Sequence, residues 1–154
     1  MQKSVLYLAI VAIVIFVGIK VALDTGEPSR VFAGGSVAID PGLKDQAGQG
    51  FRTLFVVLYD QDSPMPMPMG AVKYRLAANE PIDFPREFIL TKESMMQMGD
   101  AGAERPPPRT LRLKARLDRD GMGGSDQPGD ITGEIRDVPV GSREVTITLN
   151  QVIN

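Results

Sequence analysis

The chain has 154 residues, with 17 lysines and arginines against 19 aspartates and glutamates, and it contains neither histidine nor cysteine. That composition excludes disulfides, thiol exchange, zinc sites built on Cys or His, and haem attachment through C-x-x-C-H, and it removes the usual general base. Carboxylates, lysines and tyrosines are all that remain for chemistry, and a net charge of −2 gives no general attraction for nucleic acid, so a non-enzymatic chain without a cofactor is expected.

Residues 4–19 are uncharged and almost wholly apolar, and after Lys20 the apolar run continues to Leu23. Twenty helical residues at about 1.5 Å each reach roughly 30 Å, the thickness of a bilayer's hydrocarbon core, so residues 1–23 are expected to be a single transmembrane anchor. A cleaved secretory signal is the competing reading. Its apolar core is usually shorter, and the nearest small-x-small site, Val31-Phe32-Ala33, lies well downstream of the run. Lys3 and the amino terminus on one flank balance Lys20 and Arg30 on the other, and the N-terminus is expected in the cytoplasm with the bulk of the chain outside. Lys3 and Lys20 are the only charges in residues 1–23, so the remainder carries all 19 acids and 15 bases. Residues 24–34 read as a linker that could span at most about 35 Å, and residues 35–154 as one domain large enough for its own core.

The periodicity after the anchor is that of strands. Leu111, Leu113, Ala115 and Leu117 alternate with Arg112, Lys114 and Arg116, which predicts a half-buried strand with one apolar and one cationic face. Val145, Ile147 and Leu149 alternate with Thr146, Thr148 and Asn150, and Val72, Tyr74 and Leu76 with Lys73 and Arg75. Residues 54–59 are apolar on both faces and predict a central strand, while 36–40, 86–91 and 131–136 are weaker candidates. About seven strands separated by Gly, Pro and Asp clusters predict an all-β fold, an antiparallel Ig-like β-sandwich behind the N-terminal helix. Pro106, Pro107 and Pro108 stiffen the approach to the Arg112 strand.

Three patterns carry candidate chemistry. Met65, Met67 and Met69 alternate with prolines, and Met95, Met96 and Met98 form a second cluster. Thioethers in an exported chain admit a Cu(I) reading, but Met is more often adaptable apolar surface for packing or partner contact, and the partner-contact assignment is made with no metal. Arg112, Lys114 and Arg116, with Lys73 and Arg75 beside them, form a basic stripe suited to an acidic partner or anionic lipid, or simply a solvated face. Asp118-Arg119-Asp120-Gly121 begins like a calcium loop yet lacks the closing bidentate Glu; a turn in which Gly121, Gly123 and Gly124 supply positive φ explains the same residues.

Taken in order, Thr53-Leu54-Phe55-Val56, the stretch Ser63-Pro64-Met65-Pro66-Met67-Pro68-Met69-Gly70-Ala71-Val72-Lys73-Tyr74-Arg75-Leu76, and Ser94-Met95-Met96-Gln97-Met98 resemble the C-terminal periplasmic domain of the CcmI (CycH) family of cytochrome c biogenesis proteins. Leu113-Lys114-Ala115-Arg116-Leu117, Gln127-Pro128-Gly129-Asp130-Ile131-Thr132-Gly133 and Val145-Thr146-Ile147-Thr148-Leu149 continue the likeness, which covers residues 35–153. The chain departs from that family in having one apolar segment and no tetratricopeptide repeats. The resemblance implies a non-catalytic module at the bacterial inner membrane that holds apocytochrome c or the haem ligation machinery. An accessory subunit of a membrane redox complex is the alternative. Expected contact residues are Met65, Met67, Met69, Met95, Met96, Met98, Arg112, Lys114 and Arg116.

Overall fold

The computed structural model describes residues 30–48, 50–65, 67–77, 82–95 and 107–154. Eight strands run through them: β1 (Val31–Ile39), β2 (Thr53–Asp60), β3 (Pro68–Arg75), β4 (Arg86–Thr91), β5 (Thr110–Asp118), β6 (Ile131–Pro139), β7 (Ser142–Leu149) and β8 (Gln151–Val152). A single helical turn, α1 (Lys44–Ala47), follows a 3₁₀ turn at Pro41–Leu43 that Asp40 caps, its carboxylate accepting from Gly42 N at 2.8 Å.

The strands form two sheets, β4-β1-β7 and β3-β2-β5-β6-β8, facing one another across a shared core. Alternation decides which side chains enter it. Leu111, Leu113, Ala115 and Leu117 of β5 are fully buried and meet Leu54, Val56 and Leu58 of β2, and from the opposite sheet Val37, Phe88, Leu90, Ile147 and Leu149 close over them. Each large aliphatic side chain so buried contributes about 1.5–3 kcal/mol, which is what holds the two sheets together in a chain with no disulfide.

Neighbouring strands are antiparallel with one exception, the parallel pairing of β1 with β7, in which Val37 lies opposite Ile147 and Ile39 opposite Leu149. The expectation of a wholly antiparallel sandwich is corrected at this seam. The first and seventh strands are remote in sequence, and no local pattern encodes their direction. β1 also starts at Val31, inside the segment expected to be linker, because Phe32 and Ala33 already belong to the core, which the following glycines disguised. After Leu149 the chain leaves the smaller sheet and joins the larger one. Asn150 N donates to Thr132 O at 3.0 Å and Ile153 N to Asp130 O at 2.9 Å, which adds β8 beside β6. The crossing passes so close to β6 that a Cβ on Gly133 would lie 2.0 Å from the Thr148 carbonyl oxygen, and only glycine fits there.

The anchor expected at residues 1–23, and the part of the linker before Arg30, lie outside the described residues. Among the described residues no helix is long and apolar enough to cross a membrane. Over the described residues the single-pass architecture is therefore corrected to a mostly antiparallel β fold, and the inner-membrane location is withdrawn with it.

Candidate partner-binding surface

β2 and β3 are joined by the proline and methionine loop. Its backbone is folded on itself rather than held straight: Asp62 N donates to Asp60 Oδ1 at 3.1 Å, Ser63 Oγ to Met65 O at 3.0 Å, and Met67 N to Met65 O at 2.8 Å. These contacts close a local turn between the two strands. Met65 and Met67 project from it with 58% and 45% of their surface exposed, whereas Met69, already in β3, is half-buried and packs on the core.

Met95 reaches the same corner from the other methionine cluster. The sequence Thr91-Lys92-Glu93-Ser94 closes a 3₁₀ turn after β4 through reciprocal capping, with Thr91 N donating to Ser94 Oγ at 3.2 Å, and the chain emerges from it antiparallel to Gly70. Gly70 makes this approach possible, since a Cβ there would stand 2.6 Å from Ser94 O and 3.1 Å from the Met95 sulfur. Met95 is half-buried against the core. The structure thus joins Met65, Met67, Met69 and Met95 in one region, while Met96 and Met98 lie outside the described residues.

The basic stripe has a different fate. Arg112, Lys114 and Arg116 do leave the outer face of β5, but the β5–β6 loop, residues 119–130, folds back over Lys114 and Arg116. Arg116 is buried, with its guanidinium 3.3 Å from Asp118, 3.4 Å from Asp126 and 3.8 Å from Asp130, and it donates to Gly124 O at 2.8 Å and Met122 O at 3.2 Å. Its Nε is buried without a hydrogen-bond partner. Lys114 pairs with Asp126, and Arg112 lies 3.5 Å from Glu134 and 4.3 Å above the Tyr59 ring. Lys73 donates to Gly121 O at 2.6 Å and, with Arg116, covers the Phe55 ring, while Arg75 stands exposed at the end of β3. Four carboxylates therefore meet the three stripe cations within the molecule itself.

The same loop accounts for the residues that resemble a calcium site. Asp118 Oδ1 accepts from Gly121 N at 2.5 Å and Asp120 Oδ1 from Met122 N at 2.7 Å, so their oxygens serve the turn. Gly121 and Gly124 have positive φ and Gly123 does not. Among the described residues no group of three acidic side chains could hold a metal ion. Burial away from water raises the Asp118 pKa above its ordinary value, outweighing the Gly121 N–H and the Arg116 charge, which pull the other way.

Sequence reasoning missed two features. One is the folded-back loop, whose partners Asp126 and Asp130 lie 10 and 14 positions along the chain from Arg116. The other is a groove of about 620 Å³ lined by residues of β1, β4 and β7 with Tyr74 of β3; Gly34, Gly35 and Ser36 lie in it with the exposed Ile89. Its titratable lining groups are Tyr74, Glu87, Arg143 and Glu144, none hydrogen-bonded to another as a nucleophile and its base would be. The Gly34-Gly35 pair was its only signal in the sequence.

The membrane-linked partners expected from the sequence, namely the bilayer, a c-type cytochrome, its maturation machinery and a membrane redox complex, are withdrawn with the anchor, because no described helix can cross a membrane. No family model, no curated protein and no solved structure matches this chain.

Proposed function

We propose that the domain is a non-enzymatic protein-binding module that takes an apolar segment of its partner against the corner formed by Met65, Met67, Met69 and Met95. The observation that carries this reading is the contrast between the two candidate surfaces. The cations are consumed by the chain's own carboxylates, whereas two unbranched, polarisable thioethers stand in solvent beside two more that are rooted in the core. Such a set adapts its shape to an apolar partner at small cost, because Met has three rotatable bonds and no polar group to desolvate. The absence of histidine and cysteine from the whole sequence supports binding over catalysis. The ordered likeness to the CcmI domain supports the reading as far as the sandwich and its methionine corner.

Photo-crosslinking tests the reading. With a diazirine amino acid placed singly at 65 or 67 in the producing cell, a discrete cross-linked protein is expected from both positions and not from Lys44, which is exposed and lies on the α1 turn. Equal yield from all three positions, or none from 65 and 67, removes the proposal.

A further inference from the structure

The methionines with described surroundings fall into two tiers. Met65, Met67 and Met122 are 58%, 45% and 69% exposed, while Met69 and Met95 are half-buried against the core, Met95 with its sulfur directly over Gly70. Resting on the binding role proposed above, we propose that Met65 and Met67 form a reversible oxidation site, taking a two-electron oxygen donor of the peroxide class, which switches the binding surface off.

In the reaction a lone pair of the thioether sulfur attacks one peroxide oxygen, the O–O bond breaks, and the proton of the oxygen now bound to sulfur passes through solvent to the departing oxygen, which leaves as water. The sulfur gains one oxygen and loses two electrons, and the peroxide is reduced by the same two. The oxidant and the water that carries its proton must both reach the sulfur. Met65 and Met67 admit them, and the core packing of Met69 and Met95 hinders them. The product is a polar, chiral sulfoxide in place of a flexible apolar side chain, and sulfoxide reductases return it to the thioether.

The geometry makes this a change of surface and not of fold. Met65 and Met67 are joined by one local hydrogen bond, from Met67 N to Met65 O at 2.8 Å, and neither belongs to the core. Both can take up oxygen while every strand stays in register. Met122 is an internal control. It is exposed but sits on the loop over Arg116, four residues along β5 from Arg112 and therefore about 13 Å from the end of the sheet where Pro68 pairs with Tyr59.

The experiment treats the full chain with hydrogen peroxide in a time course, maps oxygen uptake by peptide mass spectrometry, and follows the fluorescence of the apolar probe ANS on the same samples. Met65 and Met67 should oxidise about fivefold or more faster than Met69 and Met95, and ANS binding should fall as they do, with the far-ultraviolet circular dichroism unchanged. A Met65→Leu/Met67→Leu chain should keep its ANS signal through the same treatment although Met122 is oxidised. Uniform uptake at all sites, or a signal that falls equally in the Leu variant, overturns the switch and leaves the binding surface standing. If untreated wild-type chain binds ANS no better than a Met65→Asp/Met67→Asp chain, the binding surface fails, and the switch with it.

Discussion

Arg116 and Asp118 stand two residues apart on β5, so both side chains leave its outer face, and they meet at 3.3 Å with 7% and 1% of their side-chain surfaces exposed. The carboxylate is drawn out of water by the loop that folds over it, and desolvation raises its pKa from the ordinary 3.8. A carboxyl whose folded pKa is raised stabilises the fold fully below the unfolded value and loses that contribution as pH rises through the folded value. Wild type measured against Asp118→Asn should therefore lose relative stability from about pH 4 upward and then level off. Urea unfolding at intervals between pH 4 and pH 7 reads this difference; a gap independent of pH, or one of opposite slope, contradicts the raised pKa.

Removal of the cation should destabilise the fold. In Arg116→Met the carboxylates of Asp118 and Asp130, both buried, are left without their counter-charge, and the carbonyls of Met122 and Gly124 lose their donor. Breaking one side of a buried ion network costs about 3–5 kcal/mol. Arg116→Lys should cost less, because it keeps the charge and forfeits the forked hydrogen bonds. The order Met worse than Lys in equilibrium unfolding is the result to look for, and equality of the two would mean that charge is not what holds the loop.

Gly133 and Gly123 provide a steric contrast. An alanine at 133 would bring its Cβ within 2.0 Å of the Thr148 carbonyl oxygen, where the chain crosses between sheets and the backbone has no freedom to withdraw. An added methyl at 123 meets nothing within 4 Å. Gly133→Ala should destabilise by about 2 kcal/mol or more, or prevent folding, while Gly123→Ala should stay within about 0.5 kcal/mol of wild type. Thermal unfolding of the pair distinguishes a packing requirement from a general intolerance of side chains in this region.

Divalent cations should leave the protein unmoved. The Asp118 and Asp120 oxygens that a calcium ion would need already accept backbone N–H groups, and the remaining acids of the loop face Arg116 and Lys114. The melting temperature in millimolar calcium chloride is expected to equal that in EDTA. A stabilisation that saturates with calcium would show that the turn yields its oxygens to metal after all.

What the sequence makes legible is whatever repeats locally. Leu111, Leu113, Ala115 and Leu117 announce their strand and its buried face, because a two-residue period has one physical cause. Arg86–Thr91 is found with the bounds read from the sequence, and the side of β5 that carries Arg112, Lys114 and Arg116 is the outer one, as their alternation requires. Direction and partnership are not local. Nothing near Val37 or Ile147 says that they pair in parallel, and nothing near Arg116 says that a turn ten residues away will return Asp126 to it. The two methionine clusters are visible as composition, but that Met95 would cross Gly70 depends on β4 leading into a capped turn, a relation between elements that no window of residues contains.

The tiers of the methionine corner differ in what they contribute to the fold, and substitution separates them. Met95 fills the space over Gly70 and packs on the core, so Met95→Ala removes buried contacts and opens a gap that the 3₁₀ turn cannot close, at a cost of about 1–2 kcal/mol given that the side chain is only half-buried. Met65→Leu and Met67→Leu keep an apolar surface of similar volume in solvent and should change stability by less than about 0.5 kcal/mol. Urea midpoints for the three single variants give the comparison. If Met65→Leu proves as costly as Met95→Ala, the loop methionine is part of the packed interior and cannot be the surface offered to a partner.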